Sequence, residues 1–365
     1  MDRGSQDWVL DPIQNQVLEA NQKMRATLRI LLLSAVSALC ALAQAPVIGA
    51  VTNGFSYSTQ MSPGVLATVF GSSLSGNNQH VRLNGVDCPI TYGSDSQVNI
   101  QIPWEAATGK GHVVVAHDGM SSSPFAVTIS PYSPALASYD GGGSGTGLFL
   151  SGPNVITSTN PANGGDTLST YGVGLGATNP AIATGEITPN PPPLYVTLAT
   201  PTITVGGKAT SILFSGLAPG FLATDQINFT LAPDTPTGTR TVVVKIGKAS
   251  TNQITIPIGC LDVTGKVSVA LGPLTHQSGS KYSQKVTVTN MSGTALAAKA
   301  SVVLTNLSST SQLSNGGGAS CPSSDGSPYR STSFTGAGAA QTATVTLSFT
   351  DSTGNISYGV RVLDK

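Results

Sequence analysis

The stretch Gln97-Val98-Asn99-Ile100-Gln101-Ile102-Pro103 alternates polar and apolar residues without a break, and Gln226-Ile227-Asn228-Phe229-Thr230-Leu231 does the same further along the chain. A period of two places Val98, Ile100 and Ile102 on one face of a strand and the amides on the other. Half-buried strands of this kind belong to antiparallel sheets with one wet face. The flanks of the two stretches also match. Gly64-Val65-Leu66-Ala67-Thr68-Val69-Phe70-Gly71 pairs with Gly165-Asp166-Thr167-Leu168-Ser169-Thr170-Tyr171-Gly172, Asn84-Gly85 with Gly206-Gly207, and Gly109 to Val115 with Gly238 to Val244. Each series ends in a polar turn and a last strand, at 125–129 and 253–258. A spacing near 100 residues reads as tandem domains, since solenoid units run only about 20–50 residues.

This organisation extends in both directions. The first sandwich is expected over 44–136 and the second over 151–260, joined by a linker at 137–150 whose Asp140-Gly141-Gly142-Gly143-Ser144-Gly145-Thr146-Gly147 is flexible by composition. Alternating runs near 266–271, 285–289, 301–305, 342–350 and 356–362 predict a third sandwich over 261–365. With 42 Gly, 23 Pro and no amphipathic helix outside the N-terminal region, the expected fold class is all-β, with tandem immunoglobulin-like β-sandwich domains. Charged residues make up 9% of the 365 positions, and 17 basic residues balance 17 acidic ones. That balance argues against a nucleic-acid partner, which requires a basic face.

Residues 1–43 read as an N-terminal extension plus a signal peptide over 24–43. Met24-Arg25-Ala26-Thr27-Leu28-Arg29 is basic, an apolar run of 13 residues follows at 30–42, and Ala41 and Ala43 satisfy the small-residue rule for cleavage between Ala43 and Gln44. The run is shorter than the ~20 residues a membrane span needs. Asp2, Asp7, Asp11 and Glu19 do not suit a signal's leading segment, so Met24 is the expected start of translation. The product is expected to be secreted, with no integral membrane segment after cleavage. Cys88, Cys260 and Cys321 then remain, and in an oxidising compartment one disulfide plus one leftover thiol follows. Cys260 and Cys321 are the expected pair, closing a loop of about 60 residues for ~4 kcal/mol in the chain-entropy picture. Cys88, beside Pro89, reads as a buried small hydrophobe.

Val69-Phe70-Gly71-Ser72-Ser73-Leu74, then Asn84-Gly85, then the Gln97 to Pro103 strand resemble the uncharacterised C-terminal domain of Solibacter-type acidobacterial secreted proteins. Tyr171-Gly172-Val173-Gly174-Leu175-Gly176 and Gln226-Ile227-Asn228 repeat the pattern, so the resemblance covers roughly 60–258. It implies an IPT/TIG-like or immunoglobulin-like sandwich, secretion and a modular, non-catalytic role; no activity carries over from it. Lys285-Val286-Thr287-Val288-Thr289-Asn290 resembles the cell-adhesion-type sandwiches of bacterial surface proteins.

Chemistry-bearing residues are sparse. Glu105 and Glu186 are the only Glu after position 43, and glycoside hydrolysis needs two carboxyl groups across one cleft. His112 and His117, five apart on a strand, fall on opposite faces, and neither H-E-x-x-H nor G-x-S-x-G occurs. Asp140, Asp166 and Asp325 lie beside Gly-rich turns and could supply oxygen to a cation, but no complete calcium loop surrounds them. No catalytic, cofactor or metal site is expected. Trp104, at a strand end beside Pro103, is a possible ligand contact that would stack on a sugar ring, or else a core or hinge residue. Asp234 is taken as its counterpart in the second series. The expected function is a secreted or cell-envelope binding or adhesion module whose partner is an extracellular glycan or a cell-surface protein. The alternatives are a glycan-directed hydrolase with carboxylates assembled between domains, and a structural spacer.

Overall fold

A computed structural model describes residues 44–190, 193–318, 320–336 and 341–364. The extension, the signal over 24–43 and Ala43 at its cleavage bond lie outside the described residues. The described chain is all-β. Its one helical turn among those residues is a 3-10 turn at Thr264–Lys266.

Six sheets pair off along the sequence. The first two lie within 47–129. One runs through Val47–Asn53, Leu66–Ser72, Gln97–Gln101 and Ile90–Gly93; the other runs through Gln60–Met61, Phe125–Ile129, Gly109–His117 and His80–Leu83. Val69, Val98, Ile100, Val113 and Val115 fill the space between them. Val98 and Ile100 are fully buried while Gln97 and Asn99 stay half-exposed, as the two-residue period requires. The next pair contains Phe149–Ser151, Thr167–Val173, Asp225–Thr230 and Ser211–Leu217 on one side. Gly145–Thr146, Ile254–Ile258, Gly238–Ile246 and Thr202–Val205 form the other. Phe149 and Phe229 meet edge-on at the centre, 6.2 Å apart. In the last pair, Leu261–Asp262, Gly359–Asp364, Lys299–Thr305 and Tyr329–Ser333 face Val267–Ser278, Lys281–Asn290, Thr342–Asp351 and Ser311–Leu313 across Val286, Val288, Leu347 and Phe349. Each such side chain removed from water contributes about 1.5–3 kcal/mol, which is why these strands hold their register.

Matched positions in the first two sandwiches adopt matched conformations. Gly64 and Gly165 both take left-handed φ values, +77° and +76°. Asn84-Gly85 and Gly206-Gly207 both turn a hairpin with two positive φ angles, the geometry of a tight two-residue turn. The Val115 N–H donates to Ser122 Oγ and the Val244 N–H to Thr251 Oγ1, each at 3.1 Å.

The Gly-rich stretch read as a linker is hydrogen-bonded instead. Val47 pairs with Ser72 and, at the matching place in the second sandwich, Ala135 pairs with Val173; Val51 pairs with Val69, and Phe149 with Thr170. Between these anchor points the first sandwich has only a bulge at Gly49-Ala50, whereas the second has a hairpin over 137–148. The Tyr139 N–H donates to Thr146 O and the Leu148 N–H to Ala137 O. The hairpin's return strand, Gly145–Thr146, adds in parallel to the edge of Ile254–Ile258. Asn252 pins it by donating to both Leu136 O and Gly143 O. Glycine supplies close approach here: a Cβ on Gly147 would collide with Ile254 and Phe149.

Candidate functional site

Trp104 does not stand free. Its ring lies where a Cβ on Gly64 would be, its indole nitrogen is buried without a hydrogen-bond partner, and its backbone N–H donates to Thr184 Oγ1 at 2.9 Å. Thr184 in turn donates to Glu105 Oε2 at 2.7 Å, and the Gly185 N–H donates to Gln101 Oε1 at 2.7 Å. Trp104, Glu105 and Gln101 therefore receive a loop of the second sandwich, which gives Trp104 a junction role. Its counterpart is Pro233: Ala106 N–H bonds Pro103 O in one turn and Thr235 N–H bonds Ala232 O in the other. That register places Asp234 opposite Glu105, one position from the expected match.

A second junction joins the second and third sandwiches. Arg361 donates through Nη1 to Asp166 Oδ1 at 2.5 Å and through Nε to Asp262 Oδ2 at 2.9 Å, and also reaches the carbonyl of Gly164. Ser324 and the Asn163 N–H close the remaining oxygen of Asp166. Burial pushes the Asp166 carboxyl above its usual range against the pull of Arg361, and the two carboxylates hold Arg361 charged despite its own burial. Asp166 is thus a structural ion-pair member. Asp325 accepts from Ser323 and the Ser327 N–H, and Asp140 from the Gly142 N–H in the hairpin. Among the described residues no three His, Cys, Asp or Glu side chains gather into a metal-holding group.

Cys260 and Cys321 are bonded, with Cα atoms 5.9 Å apart, and pack with Val303 and Leu363. Cys88 is free and buried, and burial pushes its thiol up to about 12, so it carries no reactive thiolate at neutral pH. His112 is exposed, whereas His117 is buried with Nε2 2.7 Å from Ser73 O.

A concave feature lies where the first sandwich has no hairpin like that over 137–148. Beside the bulge at Gly49-Ala50 a groove of about 740 Å³ opens along the strand Phe125–Ile129, lined by Gln60, Lys110, His112, Phe125 and Thr128 among others. Through Gln60 it adjoins a cleft of about 370 Å³ at the first–second boundary, lined by Ser56, Ser58, Ser133, Ser144, Asn252 and Gln253 among others. Neither depression has a carboxylate in its lining. These residues come from four or more separated segments of ordinary turn composition, which gave no signal in the sequence beyond the abundance of Ser and Asn.

No protein-family model matches the chain, and no curated protein matches it. Among solved structures, SGBP-B from a complex xyloglucan utilization locus in Bacteroides uniformis is similar at 10% identity and a TM-score of 0.25, covering 88% of this chain and 98% of that one. The Plexin A4 full extracellular region is similar at 11% identity and a TM-score of 0.25, covering 84% of this chain and 22% of that one. The I9-I11 tandem of titin follows at 9% identity and a TM-score of 0.18, covering 87% and 92%.

Proposed function

We propose that the chain is an exported, non-catalytic binding module of the cell surface or surroundings, recognising extracellular glycan. The observation that carries this reading is the chemistry of its depressions: Gln60, Thr128 and Ser130 stand among Lys110, His112 and apolar side chains in the groove, hydroxyl and amide residues line the adjoining cleft, and neither lining holds a carboxylate. Such a surface hydrogen-bonds sugar hydroxyls, but it lacks the paired acids that cleave a glycosidic bond. The Cys260–Cys321 disulfide supports an oxidising compartment, as does the signal read over 24–43. No helix among the described residues is long and apolar enough to cross a membrane. The first two sandwiches are proposed to be copies of one unit of the Solibacter-type domain, on the strength of their shared turns and side-chain bonds.

Retention of the chain on insoluble polysaccharides and isolated cell envelope, with assay of released sugar, tests the reading. Saturable retention without release is expected. Release of soluble sugar would replace the reading with a hydrolase, and absence of any retention would favour a spacer.

A further inference from the structure

The polar half of the Gln-x-Asn strands has no part in either core. In the first sandwich Gln97 Nε2 donates to Asn99 Oδ1 at 2.8 Å, and Thr68 Oγ1 donates to the same oxygen at 3.1 Å. In the second, Gln226 Nε2 donates to Asn228 Oδ1 at 2.9 Å. Each bond fixes both amides on the outward face and uses one end of each. The carbonyl oxygen of Gln and the amide nitrogen of Asn are left as an acceptor and a donor.

Aromatic rings frame both pairs. Phe70 stands across the ladder from Gln97 and Tyr92 from Asn99; Tyr171 stands across from Gln226 and Phe214 from Asn228. A further ring leans on each frame: Tyr57 lies 6.4 Å from Phe70 and Phe221 lies 6.2 Å from Tyr171. Tyr92 is 52% exposed and Phe221 54%. Scattered exposed rings mean little on their own. Here, however, Tyr57 precedes Gln60–Met61 whereas Phe221 follows Ser211–Leu217, so the same ring-on-ring frame is assembled from loops that do not correspond. A packing rule inherited with the strand would draw on matching positions. No side chain in these ladder rows carries a charge at neutral pH.

One loop touches both sheets. The loop that gives the Gly185 N–H to Gln101, two residues beyond Asn99 on the same face, gives the Thr188 N–H to Phe221 O at 3.0 Å.

We propose that these outward amide–aromatic faces are two binding surfaces for a neutral polysaccharide chain, one on each of the first two sandwiches. A pyranose ring stacks its apolar face on a ring of the frame, while its hydroxyls accept from Asn Nδ2 and donate to Gln Oε1. The proposal rests on the glycan-binding reading and moves the principal contact from the groove to the sheet face.

The test measures binding of the full chain to soluble hydroxyethylcellulose, galactomannan and arabinoxylan, with alginate as an anionic control, by affinity electrophoresis and calorimetry. Tyr92→Ala and Phe221→Ala, both at exposed positions, are each expected to weaken binding at least 5-fold. The double variant is expected to weaken it at least 50-fold, with an unchanged thermal midpoint. If the ring variants do not fold, the isosteric Gln97→Glu and Gln226→Glu variants are expected to lose neutral-chain binding at least 5-fold by placing charge on the face. Wild-type binding that survives in the double variant, or in the Glu variants where these are used, would overturn this proposal and leave the glycan reading standing. Binding to alginate alone would likewise overturn only the neutral face. Binding to none of the four would overturn both.

Discussion

At the turn before Leu66–Ser72 the first sandwich places Val65, buried, with the Trp104 ring against Gly64. At the matching turn of the second, Asp166 stands in the place of Val65, and Asp262 and Arg361 of the third sandwich crowd Gly165. The same corner thus passes the chain's contacts on to the next sandwich twice, once with an apolar ring packed on the turn and hydrogen bonds from its backbone and neighbours, once with a partly buried guanidinium between two carboxylates. The two chemistries should fail differently. An apolar contact loses packing in proportion to the atoms removed. A buried ion pair that loses one partner leaves the other charged and desolvated, which costs about 3–5 kcal/mol.

The largest expected effect is therefore Arg361→Ala, destabilising the second and third sandwiches by about 3–5 kcal/mol. Calorimetry that resolves the separate transitions measures it, and a loss no greater than that of Trp104→Ala would erase the contrast between the corners. Gly64→Ala comes next, at about 3 kcal/mol, because its new Cβ overlaps the Trp104 ring at a left-handed φ. Trp104→Ala, removing a half-buried ring, is expected to cost about 2 kcal/mol. Combined with Gly64→Ala it should cost clearly less than the sum, since the overlap is gone; strict additivity would show that the ring does not touch Gly64.

Asp225 sharpens the comparison through pH. It is buried in the second sandwich, accepts the Leu175 N–H at 2.9 Å, and is pushed up to about 7 by burial; Ser96 holds the matching place in the first. A raised carboxyl keeps its proton in the folded chain while the unfolded chain ionises near pH 4. Stability therefore falls as pH rises from about 4 to about 7, and the loss is complete above that. Asp225→Asn should remove this slope from the second sandwich's transition and stabilise it by about 2–4 kcal/mol at pH 8; urea unfolding at pH 4 and pH 8 measures both. The smallest effect is expected at the rim of the corner. Asp234, the second sandwich's equivalent of Glu105, pairs with exposed Lys208 at 2.6 Å, and Lys208→Ala should leave the thermal midpoint unchanged, since exposed pairs contribute little.

The strands were legible because their information is local. Val98 and Ile100 alternate with Gln97 and Asn99 within one strand, so pattern alone fixes which side is buried. The corner was not legible, because Arg361 and Asp166 are 195 residues apart and nothing near either announces the other. Trp104 read either as a possible sugar contact or as a core or hinge residue, because its neighbours give no hint that Gly64, 40 positions earlier, leaves a Cβ-sized space for the ring. The stretch 140–147 read as a linker because composition reports the freedom of a glycine backbone and is silent on whether its N–H groups find a strand edge. Tyr57 and Phe221 escaped notice for a related reason. They sit in loops that do not align, and only the folded sheets bring each beside its amide pair.

The disulfide has a mechanical consequence. Cys260 and Cys321 are 61 positions apart in sequence and enclose Val267–Ser278, Lys281–Asn290 and Lys299–Thr305 among others, while Thr342–Asp351 and Gly359–Asp364 lie outside the loop. If the chain were pulled from its two ends, the enclosed segment could not lengthen even after its strands had separated. At about 3.3–3.6 Å per residue this withholds roughly 200 Å of extension. Under load the third sandwich would act as a short-travel stop, with most of the available stretch left to the two sandwiches before it.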